Sequence, residues 1–390
     1  MLRLRVLFFA TVPLLASCPL MAATFAVGTC KPKLTSFSTI SAAVSTVPAG
    51  SNVQVCPGTY SEQVTIKQPL NLEGIAINNQ DQVVIAVPGT GLTTSLTSFF
   101  TQAVAAQVLV QAAGTVNLSN ITVDGTGGDQ LCSSTNIWLA GIFYASGSSG
   151  TVNRVRASGQ SDEGCGVGVW AENGGITNQS VAVLNSSIHD NDGAGIFAGS
   201  GAAPTLTVTI RNNFISSPLG LIGVDLNSVS GAVTDNMVSA AEAGVFDVAP
   251  GVSVADNTAT NAAYGVLLLA GGTVQSNELS NVTYGVFLDS DGATIQNNRI
   301  TLATTAALEL NCFSGTVSHN TINDAAVGID QAPLGFNQSN TFNNTSVVSA
   351  NGCAAALASV PLAASRSIVS SGTSAPRQWR TPATPNGVRQ

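Results

Sequence analysis

Aliphatic residues return along this chain in two fixed phases. Ile210, Val233, Val254, Val274, Ile295 and Val317 head one strand per period, and Ile196, Val224, Val245, Val266, Val286, Leu308 and Ile329 head another. Around them apolar positions alternate with polar or small ones, the two-residue period of a strand with one buried face. Stacked rungs of a parallel sheet lie ~4.8 Å apart, so the repeated phases predict continuous aliphatic columns inside a tube. Polar positions keep the same period. Asn213, Asn236, Asn257, Asn277, Asn298 and Asn320 recur at intervals of 23, 21, 20, 21 and 22 residues, which predicts an internal ladder of amides at a turn. Gly223-Val224, Gly244-Val245, Gly265-Val266, Gly285-Val286 and Gly328-Ile329 mark a further phase, with Ala307-Leu308 filling the gap. One coil per period is implied, from about Val108 to Gln331.

The first part of the chain reads differently. Between Phe37 and Pro48, residues Ile40, Ala43, Val44 and Val47 fall on one helical face, and Pro48 and Gly50 end the pattern. A helix before the first strand would close the open edge of a stack of strands. Short strands follow at Val53 to Val55, Val64 to Ile66, Leu70 to Leu72 and Val83 to Ile85, separated by Pro- and Gly-containing turns. The fold class is therefore all-β: a single-stranded parallel solenoid with a short N-terminal capping helix. The expected organisation is a signal segment over residues 1–23, a cap over 24–52, the solenoid over 53–353 and a tail over 354–390.

Composition sharpens this. Charged residues make up 9% of the 390 and glycine 39 positions, which suits strands and tight turns over a helical bundle. Met1 to Arg5, the apolar run Val6 to Ala16 and Met21-Ala22-Ala23 form a secretory signal. Leu15-Ala16-Ser17-Cys18 also resembles a lipobox that would lipidate Cys18, although Pro19 flanks it awkwardly. Export to the periplasm, the cell surface or the medium follows. No later stretch reaches the ~20 apolar residues of a membrane span. Without Arg3 and Arg5, 11 basic residues face 21 acidic ones, which argues against nucleic acid as a partner. Cys30, Cys56, Cys132, Cys165, Cys312 and Cys353 remain, an even number that reads as disulfides in an exported chain; sequence order suggests Cys30 with Cys56, Cys132 with Cys165 and Cys312 with Cys353. After Cys353 the chain is rich in Ala, Ser, Thr and Pro, carries four arginines and no acid, and reads as a disordered basic tail.

Val274-Gln-Ser-Asn277-Glu-Leu279 followed by Tyr284-Gly-Val-Phe287, with echoes in every coil from about residue 116 to 331, resembles the repeats of the right-handed parallel β-helix family, the pectate-lyase-like fold. Ser51 to Ile66 looks like a first coil of that family. The resemblance implies the architecture but not one activity, because lyases, hydrolases, epimerases, esterases and non-catalytic surface proteins share it. Lyases of the fold abstract a proton with Arg or Lys, for which Arg154, Arg156, Arg211 and Arg299 are the candidates. The Asn-Thr-Asp, Asp-Asp and Gly-His-Gly blocks of polygalacturonase-like hydrolases are missing. Gly58-Thr-Tyr-Ser-Glu62 and Gln102-Ala-Val-Ala105 match pectin methylesterases, but their Asp-Phe-Ile-Phe-Gly block is missing too.

Two constellations could carry chemistry. The residue two beyond each repeat glycine points away from the core, giving a column of Phe143, Trp170, Phe197, Asp225, Phe246, Leu267, Phe287, Glu309 and Asp330. An aromatic row ending in carboxylates suits sugar stacking, if no loop or tail covers it as a second small core. The other is a turn pair: aligned on Gly168 and Gly195, Asp162 would stack on His189 and Glu163 on Asp190, with Asp192, Arg154 and Arg156 nearby. Such groups one rung apart would perturb each other's pKa, as acid/base work requires, and clustered oxygens would also suit Ca²⁺; polar turns of backbone origin are the bland alternative. The expectation is a monomer, with no cofactor unless calcium, that binds or processes extracellular carbohydrate, acidic polysaccharide in the first place. The competing class is a non-catalytic surface protein whose aromatic face meets another protein.

Overall fold

Each coil lays one strand on each of three faces. In the coil from residue 206 to 227 these are Leu206–Arg211, Phe214–Ser217 and Ile222–Asn227. The next coil continues them in register, with Ile210 beside Val233, Ile215 beside Val238 and Val224 beside Val245. The computed structural model describes residues 22–75, 83–128, 135–161, 164–201, 205–217, 220–333 and 339–353. The signal segment up to residue 21, Cys18, Cys132, Asp162, Glu163 and the tail lie outside them. Among the described residues every strand pairing is parallel except that of Leu96–Thr97 with Ala103–Val110. The architecture is a right-handed parallel β-helix.

The aliphatic columns line one continuous core from Val27 to Ala332. Corners follow from side-chain chemistry. Asn212, Asp235, Asp256, Ser276, Asn297 and His319 sit at one corner with φ between 55° and 58°, a left-handed conformation that Asn and Asp tolerate best. His319 is thus a turn residue. Each is followed by a ladder asparagine. Asn257 Oδ1 accepts from the backbone and side-chain amides of Asn236 at 3.0 and 2.9 Å, and Asn257 Nδ2 donates to Val233 O and on to Asn277 Oδ1. The ladder runs one coil further than the spacing indicated, to Asn340. Glycine repeats at its own phase for a steric reason: a Cβ at Gly223 would lie 2.6 Å from Gly244 O and 2.2 Å from Val238.

The N-terminal helix is Ile40–Thr46, with Ile40, Ala43 and Val44 buried and Thr39 accepting from Ala42 N. Glu62 accepts from Ile40 N and Ser41 N, both at 2.8 Å, placing a carboxylate at the positive end of the helix. Tyr60 Oη donates to Cys56 O. The Gly58-to-Glu62 block therefore has structural work at the cap. Thr24–Val27, ahead of the helix, already forms a rung with Ser51–Val55. Cys30 pairs with Cys56 and Cys312 with Cys353. Cys165 is also disulfide-bonded, while its expected partner Cys132 falls outside the described residues.

Candidate functional site

The turn pairing expected from the glycine alignment is corrected. His189 lies beside Ser158, and Arg156 beside Ser187, whereas Val167 lies beside Ala194. Eight residues lie between Ser158 and Val167 and four between His189 and Ala194, so the earlier coil carries a longer turn and counting back from glycine misplaces it. Asp192 is committed to that longer turn: its oxygens accept from Gly166 N at 2.8 Å and Ser161 Oγ at 3.1 Å. His189 Nδ1 lies 2.6 Å from Asp190 Oδ2, with the Asp190 carboxylate 67% exposed. Arg154 and Arg156 are exposed and form no ion pair among the described residues; Arg154, at φ 53°, is another corner residue. No group of three His, Cys, Asp or Glu able to hold a metal ion occurs among the described residues.

The aromatic column does point out of the tube, but it is not a solvent-facing stripe along most of its length. Phe143 and Trp170 are 0% exposed, Phe197 2%, Asp225 5% and Phe246 7%. A strap over residues 92–103 covers the first coils of this face. Leu96–Thr97 turns back on Ala103–Val110 through a tight turn at Thr101, where φ is 71°. Its tip inserts Phe99 and Phe100. Phe100 meets Phe197 edge-on at 5.5 Å, and Trp170 packs against Phe143, Phe197 and Trp138. Two glycines make room: a Cβ at Gly174 would lie 2.1 Å from Phe99, and one at Gly199 2.5 Å from Phe100. Gln63 fastens the strap, donating to Thr93 O, Ser95 Oγ and Ala106 O. This is a second core outside the tube.

Glu172 lies at the edge of that core, 2% exposed, and accepts from Phe99 N at 2.9 Å. Burial pushes its carboxyl up to about 7, against the pull of the Phe99 amide and the Trp170 indole. A cleft of about 660 Å³ opens beside the strap, lined by Lys67, Phe99, Gln111, Ser146 and Glu172 among others.

Beyond the strap the face changes. Tyr264 and Tyr284 stack at 5.4 Å with their rings 10° apart, and Phe287 stands edge-on to both at 5.3 and 5.4 Å. All three are partly exposed. Burial, Tyr284 and Glu242 raise the Tyr264 phenol. The column continues through Glu309 into Asp330 on adjacent strands. Burial, then the neighbouring Asp330 charge, raise the Glu309 carboxyl, while Asn311 N pulls against them. Reading only the position two beyond each glycine missed the tyrosines. They precede Gly265 and Gly285 directly, so the repeat phase marked them. Asp247, inside the tube, was also legible by strand parity as an acid at a buried position, whereas Glu172 shares the outward parity of Trp170 and is buried by the strap.

Residues 207–359 match the family model described as periplasmic copper-binding protein (NosD). A copper site needs several converging nitrogen or sulfur donors. The matched segment offers His319, Met237 and the disulfide-bonded pair Cys312–Cys353. Met237 lies four rungs, about 19 Å, from the coil that holds His319, and His189 lies further still. These donors do not fit copper. No curated protein matches the sequence. Among solved structures, similarity extends to the lacto-N-biosidase of Eubacterium ramulus (11% identity, TM-score 0.47, 85% of this chain and 68% of that one). It extends also to the exopolygalacturonase of Yersinia enterocolitica (12%, 0.40, 85% and 78%). A third is the mannuronan C-5 epimerase A-module of Azotobacter vinelandii (15%, 0.38, 77% and 89%). The disulfides fit an oxidising compartment outside the cytoplasm. Among the described residues no helix is long and apolar enough to cross a membrane. The chain is a right-handed parallel β-helix repeat protein, similar over residues 207–359 to the NosD family.

Proposed function

We propose that the protein binds an extended glycan outside the cytoplasm, along the part of its aromatic face that the strap leaves open. One observation carries this reading: Tyr264, Tyr284 and Phe287 form a partly exposed platform in line with Glu309 and Asp330. Sugar rings stack on aromatic faces, and carboxylates accept from sugar hydroxyls. The carboxylates also redirect the expected preference for acidic polysaccharide. Glu242, Glu309 and Asp330 border or continue the platform, so uronate chains meet like charge and a neutral, hydroxyl-rich glycan is favoured. Phe246 and Asp225, one and two coils before Tyr264, lie on the same face but are buried, so the open platform begins at Tyr264.

The test is retention on a panel of neutral and acidic polysaccharides by affinity electrophoresis. Removing two aromatic contacts of about 0.5–1.5 kcal/mol each, as in Tyr264→Ala with Phe287→Ala, weakens retention about tenfold or more. Arg156→Ala leaves it unchanged. Equal retention by the double variant and the parent would remove the platform from the argument.

A second reading extends the first to hydrolysis. Glu309, its carboxyl raised by burial and by the neighbouring Asp330, lies next to that second acid on the adjacent strand, and glycosidic cleavage uses a pair of carboxyl groups. New reducing ends that vanish in Glu309→Gln would support it; retention without new reducing ends leaves binding alone.

A further inference from the structure

The cleft beside the strap has an ordered floor. Ile66, Val110, Tyr144 and Ala171 lie side by side on four successive rungs with their side chains in the core. The residue after each, Lys67, Gln111, Ala145 and Glu172, therefore points outward, and the four form one column. At ~4.8 Å per rung, Lys67 and Glu172 stand about 14 Å apart. They are the charged residues that line the cleft, and the small side chain of Ala145 separates Gln111 from Glu172. Lys67 is exposed, whereas Glu172 is buried.

Glu172 is a buried acid without a cation. It forms no ion pair among the described residues, and the strap, residues 92–103, brings neither acid nor base to it. Its Oε1 accepts from Phe99 N, but its buried Oε2 completes no hydrogen bond among the described residues. The Trp170 indole pulls on the carboxyl from nearby, yet its Nε1 completes no hydrogen bond there either. Half-buried Phe99 packs against Gly174, two residues on, where a Cβ would lie 2.1 Å from the ring. Buried carboxyl groups are paired with a cation or kept neutral. A desolvated carboxylate next to aromatic rings is the chemistry that holds an ammonium group, by a charge-assisted hydrogen bond and by attraction to the ring faces. The rest of the cleft offers hydroxyl, amide and apolar groups. Lys67 at its far end repels a second ammonium and suits an acceptor.

We infer that the cleft binds a primary ammonium group with Glu172 as its counter-ion, and that entry shifts the Phe99 ring from Gly174. The ligand is a single amine on an acceptor-rich body, supplied by an amino sugar or by the N-terminus of a short peptide. This site is independent of glycan binding on the Tyr264 platform.

Isothermal titration calorimetry on the full chain tests it at pH 7, with glucosamine against N-acetylglucosamine and triglycine against N-acetyltriglycine. At least one free amine is expected to bind, its acetylated form at least about tenfold more weakly, and the one that binds names sugar or peptide as the source. Glu172→Gln keeps the acceptor for Phe99 N and loses the charge, so amine binding falls at least about tenfold. A pH profile of the parent needs no substitution. Burial pushes the Glu172 carboxyl up to about 7, so lowering the pH from 7 to 5 protonates it while the amine stays charged, and binding weakens more than about tenfold. The inference would be overturned by no binding of either amine at millimolar concentration, by equal binding of amine and acetylated form, or by parent-like binding in Glu172→Gln. Binding that is the same at pH 7 and pH 5 would overturn it too.

Discussion

Replacing Asp247 by Asn freezes the protein in one protonation state of a carboxyl that sits inside the tube. Asp247 is 0% exposed and lies in a column between Leu226 and Leu268. Its Oδ1 accepts from Ala249 N at 2.7 Å, while the buried Oδ2 has no hydrogen-bond partner among the described residues. Burial, only partly offset by the Ala249 amide, pushes the carboxyl up to about 7. An aspartate in the unfolded chain titrates near 4, so the folded state binds this proton about a thousandfold more tightly. Because folding raises the pKa, the group imposes no penalty below about pH 4, where both states are protonated. Its penalty grows as pH rises from about 4 to about 7 and is constant above that. At about 1.4 kcal/mol per tenfold change in proton affinity, the penalty at pH 8 is on the order of 4 kcal/mol. Asparagine has the shape of the protonated acid and keeps the acceptor for Ala249 N, but it cannot ionise. Urea unfolding followed by circular dichroism at pH 4.5 and pH 8 checks this. The gain of Asp247→Asn over the parent should be larger at pH 8 than at pH 4.5 by about 3 kcal/mol. Because parent and variant are compared at each pH, the other raised carboxyls, Glu172 and Glu309, cancel. A difference that is the same at both pH values would refute the reasoning.

Three further outcomes follow from the packing. Asn257→Ala removes the acceptor for two Asn236 amides together with the donor to Val233 O, and should lower unfolding free energy by about 3–5 kcal/mol; Asn340→Ala, at the end of the ladder, should have less than half that effect in the same urea assay. Phe100→Ala empties the contact between strap and Phe197, with an expected loss of about 3–5 kcal/mol, new binding of a hydrophobic dye and faster proteolysis within residues 92–103. Cys312→Ser opens a link across 41 residues, and its effect of about 2–4 kcal/mol should appear as faster exchange in residues 339–350 while the first coils stay protected.

What the sequence determined by itself are the features that repeat. The aliphatic columns, the glycine phase and the amide ladder were legible because every coil meets only its two neighbours, so a residue's environment depends on its phase within the period. Asn236 and Asn257 share a phase, and therefore a hydrogen-bond pattern. The aromatic column was placed outside the core for the same reason. Tertiary structure alone decided what covers it. The strap belongs to no repeat, and Phe99 reaches Glu172 across 73 residues of sequence, a contact that periodicity does not encode. The turn pairing of His189 failed on a related point: the longer turn between Ser158 and Val167 breaks the count from one glycine to the next, and only the strand register restores it. Burial, and with it the raised carboxyls of Glu172 and Asp247, emerges when the coils stack and the strap closes, because desolvation is a property of everything packed around a group.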